Sequence, residues 1–276
     1  MIIGFLGKGG SGKSTLSSNF VKYLADRDFS VLAVDADHNM DLSFNLGAPE
    51  EMNYIGQGLS DVYEHIGVSN SKEIFEKDTP DTFFSLSPTD PVTEKYSILL
   101  SPKVRLMSAG PHTDKILYDV SCSHSLITPL KTYLPLLSLS ENEFVVIDEK
   151  AGTDGVGTGV TTGFDMAVVV AEPTPHGIKS AKQIASILDF YKTPYVFALN
   201  KAEGAEDYEL FLDMMSNFPD MRFGFDKSLS RPEKQIDEST IVEFDKLFDK
   251  TKQIKNTRLE RTKEKFARNK DFKEIV

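Results

Sequence analysis

Short unbroken apolar runs, each closed by glycine, an acid or an amide, alternate along the chain with stretches whose apolar residues return every three to four positions. Ile2 to Leu6, Val31 to Val34, Phe144 to Ile147, Met166 to Ala171 and Tyr195 to Leu199 have the length and composition of strands buried on both faces of a parallel sheet. Leu16, Phe20, Val21 and Leu24 follow the first run at helical spacing. Ile178, Ala181, Ile184, Ala185 and Leu188 do the same before the last run, which predicts a helix from about Gly177 to Tyr191 and a βαβ unit. The fold predicted is α/β, a doubly wound, mostly parallel sheet flanked by helices, in one domain spanning 1–276. The stretch between Gly47 and Glu143 is too long for a bare connection. We read 48–140 as an inserted region with a helix at Leu59 to Ile66, strands at Phe83 to Leu86, Ile98 to Leu100 and Val104 to Met107, a loop at 87–91, and a helix from about Ser125 to Leu137. Ile241, Phe244, Leu247, Phe248 and Ile254 predict a docked helix that runs into a charged tail, making 227–276 a C-terminal helical segment.

The chemistry begins where the first run ends. Gly7-Lys8-Gly9-Gly10-Ser11-Gly12-Lys13-Ser14-Thr15 joins a strand to a helix and contains G-x-x-x-x-G-K-S. Such a loop bares successive backbone N–H groups to phosphate, while Lys13 neutralises terminal charge and the Ser14 hydroxyl binds Mg²⁺. Asp35 and Asp37 stand at the carboxyl end of the second run, where ligands of open α/β sheets gather. Asp148 ends another apolar strand, a Walker B arrangement that holds Mg²⁺ directly or through water. Gly152, Gly155, Gly157 and Gly159 follow it in a loop suited to switching.

Lys8 is a second lysine at the start of the loop, and its side chain points away from the phosphates that its own backbone encloses. The pattern K-G-G-x-G-K-S resembles the deviant Walker A, or signature-lysine, ATPases. That group includes nitrogenase iron protein, the arsenite-pump ATPase, the partition and septum-positioning ATPases, and the ATPase that matures nickel carbon monoxide dehydrogenase. The resemblance implies ATP and Mg²⁺ as cofactors and a homodimer in the ATP state, with Lys8 crossing to the partner's ATP. It implies that Asp37 orients or deprotonates the attacking water, that Asp35 partners the waters of Mg²⁺, and that the Gly152 N–H senses the γ-phosphate. Asn200 would read the adenine edge, with Lys201 beside it and Pro173 in the base-flanking turn. The members of the maturation branch mostly follow the second aspartate with proline, whereas this chain has His38. The stretch from Val156 to Ile184 is most similar to that branch.

Cys122 and His124 form Cys-x-His where the maturation branch carries Cys-x-Cys at the dimer two-fold. Two copies would offer two thiolates and two imidazoles to Zn²⁺ or Ni²⁺. One cysteine per chain supplies too few thiolates for an iron–sulfur cluster, and a small buried cysteine beside an unrelated histidine is the other reading.

Composition narrows the classes. A net charge of −11 makes nucleic acid an unfavoured partner, although Lys and Arg outnumber Asp and Glu by 14 to 10 over the last fifty residues. That tail is either a solvated helical face or a docking surface. No apolar run suits a membrane span, one cysteine fits a reducing compartment, and Met1 leads straight into a strand, so the expectation is a cytoplasmic protein without membrane insertion. The function expected is an ATP-hydrolysing dimeric switch that assists metal insertion, nickel above all, into a metalloenzyme client. The alternative is a partition or positioning ATPase whose ATP-dependent dimer binds DNA, membrane or a protein. A small-molecule kinase would leave Lys8 unexplained.

Overall fold

The computed structural model describes residues 1–49, 51–70, 73–74, 82–112, 123–153, 156, 160–226, 229, 231, 233 and 235–275. In chain order the elements are β1 (Ile2–Gly7), α1 (Lys13–Ala25), β2 (Ser30–Asp35), α2 (Asp41–Asn45), α3 (Leu59–Ile66), β3 (Phe84–Ser85), α4 (Pro91–Tyr96), β4 (Ser97–Ser101), β5 (Val104–Ser108), α5 (Thr128–Tyr133), β6 (Leu137–Ser138), β7 (Glu143–Asp148), β8 (Met166–Ala171), α6 (Pro175–Phe190), β9 (Tyr195–Asn200), α7 (Ala205–Met215), β10 (Met221–Phe223), α8 (Glu238–Thr251) and α9 (Arg258–Ile275). Eight strands form one sheet in the order β10-β9-β8-β1-β7-β2-β5-β4. Only β4 runs antiparallel to its neighbour, and β3 and β6 make a separate parallel pair.

Each central strand is buried on both faces, which is why the runs read as continuous rather than alternating. Along β1, Ile3 and Phe5 face one layer with Phe20 and Tyr23 of α1 and Phe244 and Leu247 of α8. Ile2 and Leu6 face the other, with Ile178 and Ile184 of α6 and Phe211 of α7. Phe20 anchors the first layer, its ring centre 5.9 Å from Phe5, 5.5 Å from Tyr23 and 5.2 Å from Phe244. The chain leaves β1 toward β2 on one side and leaves β8 toward β9 on the other. The carboxyl end of β1 therefore lies at a switch point of the topology, where a ligand crevice opens.

Two sequence expectations change. The helix expected from Ser125 to Leu137 is broken into a 3-10 turn at Ser123–Ile127, α5, a second 3-10 turn at Leu134–Leu136 and the short β6. Pro129 opens α5 and Pro135 cannot donate a backbone hydrogen bond, so one continuous helix is not available to this stretch. The charged tail is a helix tied to the bottom of the sheet. Arg258 Nη1 pairs with Asp165 Oδ1 at 3.1 Å, and Asp165 Oδ2 accepts the Ile2 N–H at 2.7 Å. Arg258 Nη2 donates to the Leu137 carbonyl, Arg261 donates to the Phe164 carbonyl, and Thr262 donates to Thr162 at 3.2 Å.

The Arg258–Asp165 pair is almost dry, with side chains 6% and 2% exposed. Arg258→Ala strands a buried carboxylate and is expected to cost about 3–5 kcal/mol of stability. Denaturant unfolding checks this, and a midpoint equal to that of the parent would show that α9 is not anchored there.

Candidate functional site

The loop from β1 to α1 is shaped by glycine. Gly12 has φ 90°, and a Cβ there would lie 2.2 Å from Asn200 Nδ2, so only glycine fits its conformation and its neighbour. Gly12 caps α1 without a side-chain hydrogen bond, which leaves the first-turn N–H groups open to an anion. The loop is braced from outside. Asn200 Nδ2 donates to the Ser11 carbonyl at 2.7 Å, and Lys201 Nζ donates to the Gly10 carbonyl at 2.5 Å while pairing with Glu172 at 2.6 Å. Thus Asn200 and Lys201 both hold loop carbonyls turned away from the cradle. Pro173 lies between Glu172 and Thr174, whose hydroxyl caps α6 by accepting the Gly177 N–H at 3.0 Å.

Three strand ends converge beneath the loop. Lys13 Nζ lies 3.0 Å from Asp37 Oδ2, 3.5 Å from Asp148 Oδ1 and 3.4 Å from Ser14 Oγ, with Lys13 only 5% exposed. Burial opposes its charge, yet Asp148 and Asp37 outweigh that and hold Lys13 above the ordinary lysine value. Burial likewise pushes Asp37 up, but the Lys13 ammonium prevails and holds it below the usual carboxylate range. Asp35 pairs in register with Asp148 across β2 and β7. Burial, with Asp148 adding to it, pushes Asp35 up to about 7 against hydrogen bonds from the Ser43 N–H (2.8 Å), the Ser43 hydroxyl (2.7 Å) and the Asp37 N–H (3.3 Å). Burial raises Asp148 to about 6, moderated by Lys13.

Neither oxygen of the fully buried Asp148 has a hydrogen-bond partner. One lysine facing three carboxylates leaves an excess of negative charge, and the Asp148 oxygens, which lack a hydrogen bond and meet Lys13 at 3.5 Å, suit a hard cation beside the Ser14 hydroxyl. Mg²⁺ takes one or two carboxylates together with phosphate and water, so Ser14 and Asp148 fit it, with Asp35 behind them.

The remaining expected residues are placed less uniformly. Lys8 is partly exposed, and its ammonium has no ion-pair partner among the described residues. The Gly152 N–H is bonded to the Gly7 carbonyl at 2.9 Å, with φ 85°, which fastens the segment after Asp148 to the end of β1. Cys122, Gly155, Gly157 and Gly159 lie outside the described residues, and only the backbone of His124 is described. Among the described residues, no three His, Cys, Asp or Glu side chains are grouped to hold a metal ion.

Sequence reasoning assigned no role to several residues that take part. Ser43 fixes Asp35, and Glu172 fixes Lys201. Glu149 is fully buried with one oxygen unpartnered, and burial raises it to about 8, so it is mostly protonated at neutral pH. His38 is bonded through Nδ1 to the Gly110 carbonyl and touches the ring of His112. Glu149 carried a signal as an acid directly after a Walker B aspartate, and His38 carried one by standing where the maturation branch mostly has proline. No described helix is long and apolar enough to cross a membrane.

Residues 2–261 match the family described as the CobQ/CobB/MinD/ParA nucleotide binding domain. An uncharacterized ATP-binding protein of Methanocaldococcus jannaschii is 26% identical over 219 residues, covering 77% of this chain and 83% of its own length. The carbon monoxide dehydrogenase accessory protein CooC of Rhodospirillum rubrum is 28% identical over 221 residues, covering 79% and 81%. The cell division ATPase MinD of Pyrococcus furiosus superposes with a TM-score of 0.63 at 19% identity, over 91% of this chain and 98% of that one. With its phosphate loop at the carboxyl end of β1 in an eight-stranded sheet, this chain belongs to the CobQ/CobB/MinD/ParA nucleotide-binding family of P-loop ATPases.

Proposed function

We propose that the protein hydrolyses ATP as a homodimeric switch and assists the insertion of a metal, nickel first, into a metalloenzyme client. The observation that carries the hydrolytic part is the buried Lys13–Asp37 pair, 3.0 Å apart under the phosphate loop. In this pair Lys13 suppresses the basicity of Asp37. Incoming phosphates compete for Lys13, and each step of its departure returns basicity to Asp37 beside the reacting phosphate. Asp37 then accepts a proton from water, while the loop N–H groups and Lys13 stabilise charge on the phosphoryl oxygens. Bound at Ser14 and Asp148, Mg²⁺ would supply charge neutralisation across the β and γ phosphates. Asn200 has its amide N–H engaged with Ser11, which leaves its carbonyl oxygen to accept from the adenine amino group. Lys8, without an ion-pair partner among the described residues, is available to a second copy's nucleotide.

The metal-delivery part rests on the similarity to CooC, whose printed name makes it an accessory protein of carbon monoxide dehydrogenase. The solved MinD and ParA relatives share the fold at under 20% identity, so they add no argument for positioning or partition. Elemental analysis of the ATP-bound protein tests the proposal. Its Cys122-dependent content should be one Ni²⁺ or Zn²⁺ per dimer, missing from Cys122→Ser, with affinity in the parent rising with pH as the thiol deprotonates. Unaltered metal content in Cys122→Ser would remove the cysteine from the site and the two-fold metal with it.

A further inference from the structure

β2 and β5 are parallel neighbours with Asp35 opposite Ser108, so the loops that leave their carboxyl ends emerge side by side. The first carries His38 and the second His112, and the two imidazole centres are 4.6 Å apart with the rings inclined at 48°. His38 is 6% exposed, whereas His112 is open to solvent. The Nδ1 of His38 lies 2.9 Å from the Gly110 carbonyl. A carbonyl only accepts, so Nδ1 carries a proton, and Nε2 is the ring nitrogen left to bind an ion. The carbonyl is itself held. Gly110 donates its N–H to Ser108 Oγ at 3.0 Å, has φ 93°, and packs so closely on Tyr54 that a Cβ would lie 2.7 Å from that ring.

We propose that His38 and His112 form a two-imidazole site for a first-row divalent transition ion of the Ni²⁺ or Zn²⁺ class, beside the phosphate site. Metal-binding histidines are characteristically oriented in this way, the second ring nitrogen donating to a backbone carbonyl. The ring spacing agrees as well, since metal–nitrogen bonds of about 2.0–2.1 Å place two imidazole centres about 4.5–5.2 Å apart at bond angles of about 90–109°. The Asp37 carboxylate next to His38 offsets part of the ion's charge. The described residues supply these two ligands, and water or a second copy of the chain completes the set. Because His38 directly follows Asp37, an ion here would bias the position of Asp37. The purpose of the ion rests on the metal-delivery reading, whereas its binding does not.

The test is titration of the nucleotide-free full chain with Ni²⁺ and with Zn²⁺, by calorimetry or competition with a chromophoric chelator. His112→Ala changes an exposed side chain and is expected to weaken binding by about tenfold or more, as is His38→Ala. His176→Ala, an exposed histidine on α6, is expected to bind as the parent does. Loss in His112→Ala supports the site whether or not Cys122→Ser also binds less. Parental affinity in both His112→Ala and His38→Ala overturns it. If Cys122→Ser alone abolishes binding, the cysteine site of the metal-delivery reading survives and the imidazole site does not.

Discussion

Lys13→Ala is expected to reduce ATP affinity by about 10²-fold or more and to abolish measurable turnover, because charge-assisted hydrogen bonds contribute about 1.5–3 kcal/mol each and Lys13 makes several. The loss has two parts. Lys13 is the cation facing the phosphates, and it is also the group that offsets Asp37 and Asp148, at 3.0 and 3.5 Å. Without it, incoming triphosphate meets buried carboxylates alone. Those carboxylates then take up protons more readily, since Lys13 currently lowers both. Nucleotide titration alongside a thermal melt separates lost binding from lost folding. A folded variant with parental affinity and turnover would remove the phosphate site from this loop.

Asp37→Asn is expected to divide binding from chemistry. The amide keeps the size of the carboxylate and one of its two accepting oxygens but has no basic oxygen, so turnover should fall by about 10²-fold or more. ATP affinity should hold or rise slightly, because the competing ion pair to Lys13 is gone. Steady-state hydrolysis and nucleotide titration on one preparation decide it. Undiminished turnover would take Asp37 out of the reaction and leave Lys13 as an electrostatic clamp only.

The parts of this protein legible in its sequence are those whose physics is local. Gly7 to Thr15 is contiguous, and the glycines, Lys13 and Ser14 carry their roles in their spacing. The central strands were legible because burial on both faces writes itself as an unbroken apolar run, as in Met166–Ala171. Where contacts are distant or the pattern is short, the sequence is silent. β10 is three residues long with Arg222 exposed in the middle, and α7 buries only Phe211, so neither has a periodic stripe to find. Arg258 and Arg261 look like solvated charge until Asp165 and two backbone carbonyls are brought to them by the fold. Asn200 was read for the base edge, and its amide N–H is found bracing the Ser11 carbonyl. The His38–His112 contact joins two loops that only the β2–β5 pairing places together.

The central claim is that ATP joins two copies through Lys8, and sedimentation with a slowly hydrolysed ATP analogue and Mg²⁺ tests it most directly. The parent should form a nucleotide-dependent dimer, and Lys8→Ala should stay monomeric while binding the analogue with nearly parental affinity. A Lys8→Ala dimer as stable as the parent's, or a parent that stays monomeric with analogue bound, would contradict it.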